Sequence, residues 1–395
     1  LSFSFAQTSS TITSPLLFFK TTKDAYTYNP ATLLVTKVSN ANYPATTVPG
    51  VVYLDATFYV ADPQGRVWGS NFNDPLSWTA LNEIAAQSEP DGGAAIAKLY
   101  NYVLFFGLWS TTLFYDATIA APASPLLPNA TITSLLGCAS GDSVVEMQES
   151  VVWIGQTKKE GRGIYIYEGL QVQKISTPFV DRILQADTLA SVRAFATELS
   201  GHFSYVLTLV NSNITLTYDF VMQNWQLWTS TTVASPFVIQ SLSSDSYGKV
   251  FAIANSHGMQ DGDPLTVTGA STLDYNGSFN IQLIDANSFY YFIPTAPLPN
   301  SGVAQGVSVS EGYFIGVSSA QLSGSDYVQD QSSGAVYLLS PTSYNDSGSP
   351  INMLVVTDNF DNSTRQFKEI VDCDLLCDNV NSRGLLRYTN DDFKT

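Results

Sequence analysis

Only two histidines, His202 and His257, stand in a chain of 395 residues, and that limits the acid–base and metal chemistry open to it. His202 lies in Gly201-His202-Phe203 just ahead of an apolar run, and His257 lies in a glycine-rich turn. Neither has a cysteine or a second histidine at metal-ligand spacing, which argues against a zinc site. A Ser-His-Asp triad assembles in space and leaves no spacing to read. Serines are abundant, and no nucleophile-elbow pattern singles one out. Paired acids are the usual machinery of a glycosidase, and the candidates are Glu83, Glu89, Asp116, Glu146, Asp181 and Asp219. Several end an apolar run, as in Tyr115-Asp116 and Tyr218-Asp219, where a carboxylate more simply accepts the N–H bonds of a turn. Thr389-Asn390-Asp391-Asp392 is a single Asp-box-like turn without its glycine and tryptophan. There is no P-loop and no dinucleotide fingerprint. The expectation is no catalytic, metal or cofactor-binding residue, and no DNA-channel-lining residue can be named.

The remaining reactive groups read as structure. Cys138, Cys373 and Cys377 make no disulfide framework, and all three are expected to be reduced core residues. Trp68, Trp78, Trp109, Trp153, Trp225 and Trp228 are expected to recur at equivalent positions of a repeat, as packing and not as a sugar platform. The net charge of −17, from 34 acidic and 17 basic residues, disfavours a protein that grips a phosphate backbone. A wall that lets DNA slide past should not grip it. An apolar fraction of 45% with 13% charged residues describes an ordered chain. No apolar run reaches membrane-spanning length. The opening LSFSFAQTSS lacks the basic region of a signal peptide, and an N-terminal part is expected to be missing or processed.

The elements that must position these residues repeat. An apolar run, a polar or glycine break and a second run ending in alternating tyrosines recur at 16–28, 102–115, 151–167 and 205–218, with weaker copies at 57–68 and 312–337. Copies start about 40 to 55 residues apart, with one gap of about 105. Ile164-Tyr165-Ile166-Tyr167 and Thr215-Leu216-Thr217-Tyr218 alternate as strands do. Asp62-Pro63-Gln64-Gly65, Lys159-Glu160-Gly161 and Asn211-Ser212-Asn213 fit hairpin turns. Helical spacing is confined to Leu81–Gln87 and Arg182–Glu198, each expected to be a short connector. Short-strand repeats of this period predict an all-β chain, a β-propeller of six or seven blades. The long gap predicts a small inserted β domain at 251–309, with Asn276-Gly277 as a hairpin signal. That leaves propeller at 1–250 and 310–395.

Several stretches then agree, in order and spacing, with one family. Asn73–Trp78, Ala85–Asp91 and Leu104–Tyr115 come first, followed by Gly137-Cys138-Ala139, Ser143-Val144-Val145 and Val152–Gly155. Gly163-Ile164-Tyr165, Lys174–Thr177, Gly201–Leu207, Tyr218-Asp219 and Trp225–Trp228 continue it. Ser333–Tyr337, Asp346–Ile351 and Leu385–Tyr388 close it. Together these resemble the packaged-DNA stabilisation proteins of short-tailed bacteriophages, the tail-hub or nozzle proteins below the portal. The inserted segment is similar to a β module that recurs in phage tail proteins. The resemblance implies a propeller subunit in a homohexamer around the tail axis. A portal or head–tail adaptor ring would lie above it, and a tail fibre, spike, needle or plug protein below. Such a protein retains packaged double-stranded DNA and lets it pass on ejection, without sequence-specific binding. It sits in the virion tail and is assembled in the bacterial cytoplasm. The alternatives are a propeller lectin or glycosidase, or a receptor-binding tail-tip protein, acting on host surface polysaccharide.

Overall fold

A computed structural model describes residues 3–8, 15–86, 91–147, 149–233, 236–259, 262–294, 297–331, 333–340, 342–343, 345–346 and 349–350. All of them belong to a first compact unit, Leu1–Ile351; the second, Asn352–Thr395, lies outside them. Glu89, Cys373, Cys377 and the turn at 389–392 are likewise outside the described residues.

Period-two burial follows from the pleat, which sends successive side chains to opposite faces. In Leu17–Lys20, Phe18 and Lys20 point inward while Leu17 and Phe19 are half-buried. Such strands associate with their chain neighbours into consecutive antiparallel sheets, which we term blades. Blade 1 spans residues 4–37, blade 2 52–85, blade 3 93–134, blade 4 137–174, blade 5 192–233 and blade 6 316–338. The first three and the fifth have four strands in sequence order within the blade, and blade 6 has three described strands. In blade 4 two short pieces, Gly137–Cys138 and Val145–Met147, share the first position against Ser150–Thr157. The first strand of each blade packs against the first strand of the next. This is the radial arrangement of a β-propeller, with the first strands innermost.

The core lies between blades and not within them. Phe18 and Ala25 of blade 1 meet Phe58, Val60 and Trp78 of blade 2. Tyr59 and Val67 of blade 2 meet Val103, Phe105 and Phe114 of blade 3. Leu104 and Phe106 of blade 3 meet Trp153 and Tyr167 of blade 4, and Val152 and Ile164 of blade 4 meet Tyr205 and Leu207 of blade 5. Phe195 and Val206 of blade 5 meet Val328 of blade 6. A single blade therefore has both faces greasy and cannot bury either alone. Each fully buried aromatic or aliphatic side chain contributes about 1.5–3 kcal/mol through these walls.

Four expectations require correction, the last of them in the inserted segment. Of Leu81–Gln87, residues 81–85 are not helical but end the strand Asp74–Ala85, pairing Ala85 with Arg66 and Glu83 with Trp68, and Gln87 lies outside the described residues. Sheet pairing here overrides the local helical spacing. In 182–198 the helix is Pro178–Ala186, opened by Thr177 accepting from the Val180 N–H, and Val192–Leu199 is already the first strand of blade 5. The tryptophans recur only in part: Trp78 and Trp228 each stand fifth on the fourth strand of their blades, Asp74–Ala85 and Asn224–Val233, while the others do not match. Trp68 is on the third strand of blade 2, Trp153 on the Ser150–Thr157 strand of blade 4, and Trp225 and Trp228 on the outer strand of blade 5. Of the six, Trp78 and Trp153 are the buried pair.

Between blades 5 and 6 the chain builds a second small core. Ile239, Val250, Leu265, Tyr275, Phe289, Tyr291 and Ala304 fill it. One covering layer is the sheet of Ser241–Ser244, Lys249–Ile253, Ser288–Phe292 and Gln282–Asp285. The other comprises Phe237–Ile239, Ala304–Tyr313, Pro264–Thr268 and Gly277–Asn280. Ala304–Tyr313 runs on to pair with the outer strand of blade 5, Thr229 opposite Tyr313 and Val233 opposite Val309. Asn276-Gly277 is not a two-residue hairpin turn. The link from Thr268 to Gly277 contains a 3-10 turn at Leu273–Tyr275, and the Asn276 amide closes it by bonding Ala270 N–H and C=O.

Candidate functional site

The feature shared by all described blades is the inner wall where their first strands meet. Two glycines let backbone approach backbone there. A Cβ on Gly50, at φ +95°, would lie 1.8 Å from the Ile96 carbonyl oxygen. A Cβ on Gly141 would lie 2.1 Å from the Ala94 carbonyl oxygen. Polar ties cross each boundary between consecutive described blades as well. Ser4 Oγ accepts the Gly50 N–H at 2.8 Å, and Lys98 Nζ donates to the Tyr53 carbonyl at 3.1 Å. Glu146 accepts the Lys98 N–H at 2.6 Å, and Tyr205 Oη donates to the Ser143 carbonyl at 2.8 Å. Asp326 of blade 6, 6% exposed, accepts Thr197 Oγ1 at 3.1 Å and the Glu198 N–H at 2.5 Å. Such bonds fix register between blades, and for the buried ones, Tyr205 to Ser143 and Thr197 to Asp326, leaving a partner unmatched costs about 1–3 kcal/mol. What the wall can do chemically is hold a rigid rim.

The described acids singled out from the sequence serve turns and blade contacts. Asp219 accepts His202 Nδ1 at 2.7 Å and the N–H groups of Val221 and Met222 at 2.8 and 3.1 Å. Burial works against its charge, but the Met222 amide, the His202 ring and the Val221 amide outweigh it and hold the carboxyl below its usual range. Asp181 accepts Ser176 Oγ at 2.6 Å and Lys174 Nζ at 2.7 Å beside the helix start. Glu83 lies 3.4 Å from Arg66 Nη1. Asp116 takes the Thr118 N–H at 2.6 Å and lies beside Asp55, a residue the sequence did not flag.

His257 is buried, with Nδ1 accepting the Met259 N–H and Nε2 bonded to the Asp285 carbonyl. Cys138 is fully buried, and burial pushes its thiol up to about 12, far from a reactive thiolate. Among the described residues no group of three His, Cys, Asp or Glu side chains is placed to hold a metal ion. No described helix is long and apolar enough to cross a membrane.

Lys20 was missed by the sequence reading. It is 1% exposed, and its ammonium donates to the Val48 carbonyl at 2.6 Å and Thr47 Oγ1 at 3.2 Å. The signal was present in the alternation of Phe18 and Lys20, which puts the lysine on the buried face. Burial lowers its pKa to about 8, opposed by the Asp142 carboxylate of blade 4. The unfolded chain therefore binds the proton more tightly between pH 8 and the ordinary value of 10.5. Stability should rise with pH across that window, while below it the cost of burying the charged lysine is fully present and independent of pH. Urea unfolding is expected to show a gain of about 1 kcal/mol per pH unit from pH 8 to about 9.5. In Lys20→Met the slope should vanish; an unchanged slope would show that another group produces it.

Comparison with known proteins places this architecture. The likeness to solved structures is distant. A dihydro-heme d1 dehydrogenase, NirN, is 12% identical with a TM-score of 0.36, over 82% of this chain and 63% of that one. This chain thus spans less than two thirds of that enzyme's length. A chain of a mitotic checkpoint complex is 11% identical with a TM-score of 0.38, over 82% and 83% of the two chains. A computationally designed protein is 10% identical with a TM-score of 0.35, over 85% and 94%. Likeness this faint says nothing about function. No curated protein sequence matches. The family profile described as "Bacteriophage P22 Gp10, beta-propeller" matches residues 6–237, which takes in the first five blades up to the start of the second core. The chain therefore belongs to this phage-stabilisation family of β-propeller proteins, a family of phage structural proteins.

Proposed function

We propose that the chain is a tail-nozzle subunit of a phage virion, a homohexameric ring that retains packaged DNA and lets it pass during ejection. The observation that carries this reading is the family match over residues 6–237. The interlocked blade boundaries support it, since a wall under the pressure of packaged DNA has to resist shear between blades. The charge of −17 supports it too. Six copies would carry on the order of −100 charges, and an acidic lumen gives phosphates nothing to bind. Ring closure makes each subunit contact heterologous, one patch fitting a different patch on the next copy. A portal or adaptor ring would sit above and a fibre, spike, needle or plug protein below. The role is mechanical and not catalytic, with assembly in the bacterial cytoplasm before the tail is complete.

In this reading residues 1–250 and 310–395 make the propeller, and 251–309 the body of an inserted domain. Its second core starts at Ile239, so a cut at 236 should remove it more cleanly than one at 251. The test is genome retention. Particles assembled without this chain should package DNA and then lose it, leaving DNase-sensitive DNA and empty heads. Full, stable heads that merely fail to adsorb would reject retention and favour a host-contacting role.

A further inference from the structure

The two sides of the propeller are unlike. Strands alternate in direction within a blade, and four of them return the chain to the side on which it entered. The hairpins between first and second strands, and between third and fourth, therefore project together from one side. Bonds between blades fix this alignment. Lys98 Nζ reaches the Tyr53 carbonyl, and the Lys98 N–H meets Glu146. Each of these three residues is the last but one of a first strand, so the first strands run in one direction.

Turns on this side are tight. Asp55-Ala56, Phe72-Asn73, Tyr100-Asn101, Ser200-Gly201 and Ser323-Gly324 each close a hairpin with two residues, at least one of them at positive φ. Such turns raise a flat, stiff surface that loses little freedom when it is covered. Leu33, Phe72, Met222 and Leu322, at or beside hairpin tips, are each more than half exposed. The helix Pro178–Ala186 and the chain leading to the second core leave instead from the opposite side.

Charge is divided the same way. Asp55, Asp74, Glu149, Glu168 and Glu198 stand on the tight-turn side. Among the described residues 4–233, every lysine and arginine except Lys98 stands on the other. There Lys37 pairs with Asp24, Arg66 with Asp62 and Lys174 with Asp181. Lys23, Lys159 and Arg182 are exposed on that side, with Leu135 and Phe179 as its apolar counterparts.

We propose that the tight-turn side of one copy docks on the base-bearing side of the next copy of this chain. The inference rests on the ring reading above and names the two patches that meet in it. Opposite charges then face each other across the contact, whereas joining two tight-turn sides would set carboxylates against carboxylates. Nucleic acid and anionic lipid are repelled by the tight-turn side for the same reason. Each copy carries one patch of each kind, so the contact is heterologous and can pass around a ring.

The test is carbodiimide cross-linking, in assembled particles and in a purified mixture of isotope-labelled and unlabelled full chain. Links between copies should join tight-turn carboxylates, such as Glu149 and Glu168, to lysines of the other side, such as Lys23 and Lys159. The double variant Glu149→Lys with Glu168→Lys should associate with itself at least about tenfold more weakly, and so should Lys23→Glu with Lys159→Glu. All four side chains are exposed, so unfolding midpoints should stay put. Mixing the two variants should restore association, because every contact between unlike copies again meets opposite charges. Phe72→Ser with Met222→Ser should weaken association without rescue by either charge variant. Copies linked through other surfaces, or two tight-turn sides linked together, would overturn the pairing of patches and leave the ring reading standing. A mixture no better than its components would also overturn the pairing. Folded protein giving no links between copies in either setting would reject the ring and the pairing together.

Discussion

Gly50→Ala is expected to cost about 4 kcal/mol or more of folding stability, against a typical total of about 5–15 kcal/mol. Two effects add. The backbone at φ +95° is one that a side chain resists, at about 1 kcal/mol. The greater effect is the approach of the added methyl to the Ile96 carbonyl oxygen at 1.8 Å and its carbon at 2.8 Å. Neither atom can give way cheaply, because Ile96 N–H also donates to the Pro49 carbonyl at 3.0 Å and holds the same backbone in place. Gly141→Ala isolates the second effect, with its contact at 2.1 Å to the Ala94 oxygen and no positive φ. Gly169→Ala isolates the first, at φ +61° with nothing within 4 Å, and should cost about 1 kcal/mol. Urea unfolding followed by tryptophan fluorescence orders the three. Equal losses at 50 and 169 would contradict close backbone packing between blades.

Trp153→Ala should cost about 3–5 kcal/mol. The indole is fully buried between blades 3 and 4, stacked on Tyr167 at 5.2 Å and tilted against Phe106 at 5.1 Å. Its Nε1 also donates to the Gly137 carbonyl at 3.2 Å, tying the second position of the blade to the first. Trp153→Phe keeps ring contacts and loses only the indole N–H bond, since the Gly137 carbonyl still faces Gln156 in the strand pairing, and should cost about 0.5–1.5 kcal/mol. Trp109→Ala, in the half-buried turn after the Tyr102–Gly107 strand, should cost clearly less. Comparable losses at 109 and 153 would mean that the inter-blade core is not where the stability resides.

The blades were legible because their signals are local. Strand alternation at Ile164–Tyr167 and the turns at 62–65 and 159–161 need only neighbouring residues to be read. Asp62 shows why such turns are reliable: Oδ1 accepts the Gln64 and Arg66 N–H groups, and Oδ2 bonds Arg66 Nε and Trp68 Nε1. Leu81–Gln87 misled for the opposite reason. Its strand pairing is set by residues 66–68, which no helical window contains. The inner wall was illegible because Gly50 and Ile96 belong to different blades and meet only once both have folded. The closeness of Asp55 and Asp116 was hidden in the same way, since it joins turns from separate hairpins. Asp116 was visible as a strand-end acid, but its neighbour was not.

Consecutive blades bury their faces only against one another, and the proposed role needs them to form a rigid acidic ring in the tail. A cryo-EM reconstruction of the intact virion tests that requirement most directly. The prediction is six copies of the propeller encircling the DNA path beneath the portal, with an acidic lumen. Isolated propellers at the host-facing tip, or a ring lined with lysine and arginine, would contradict it.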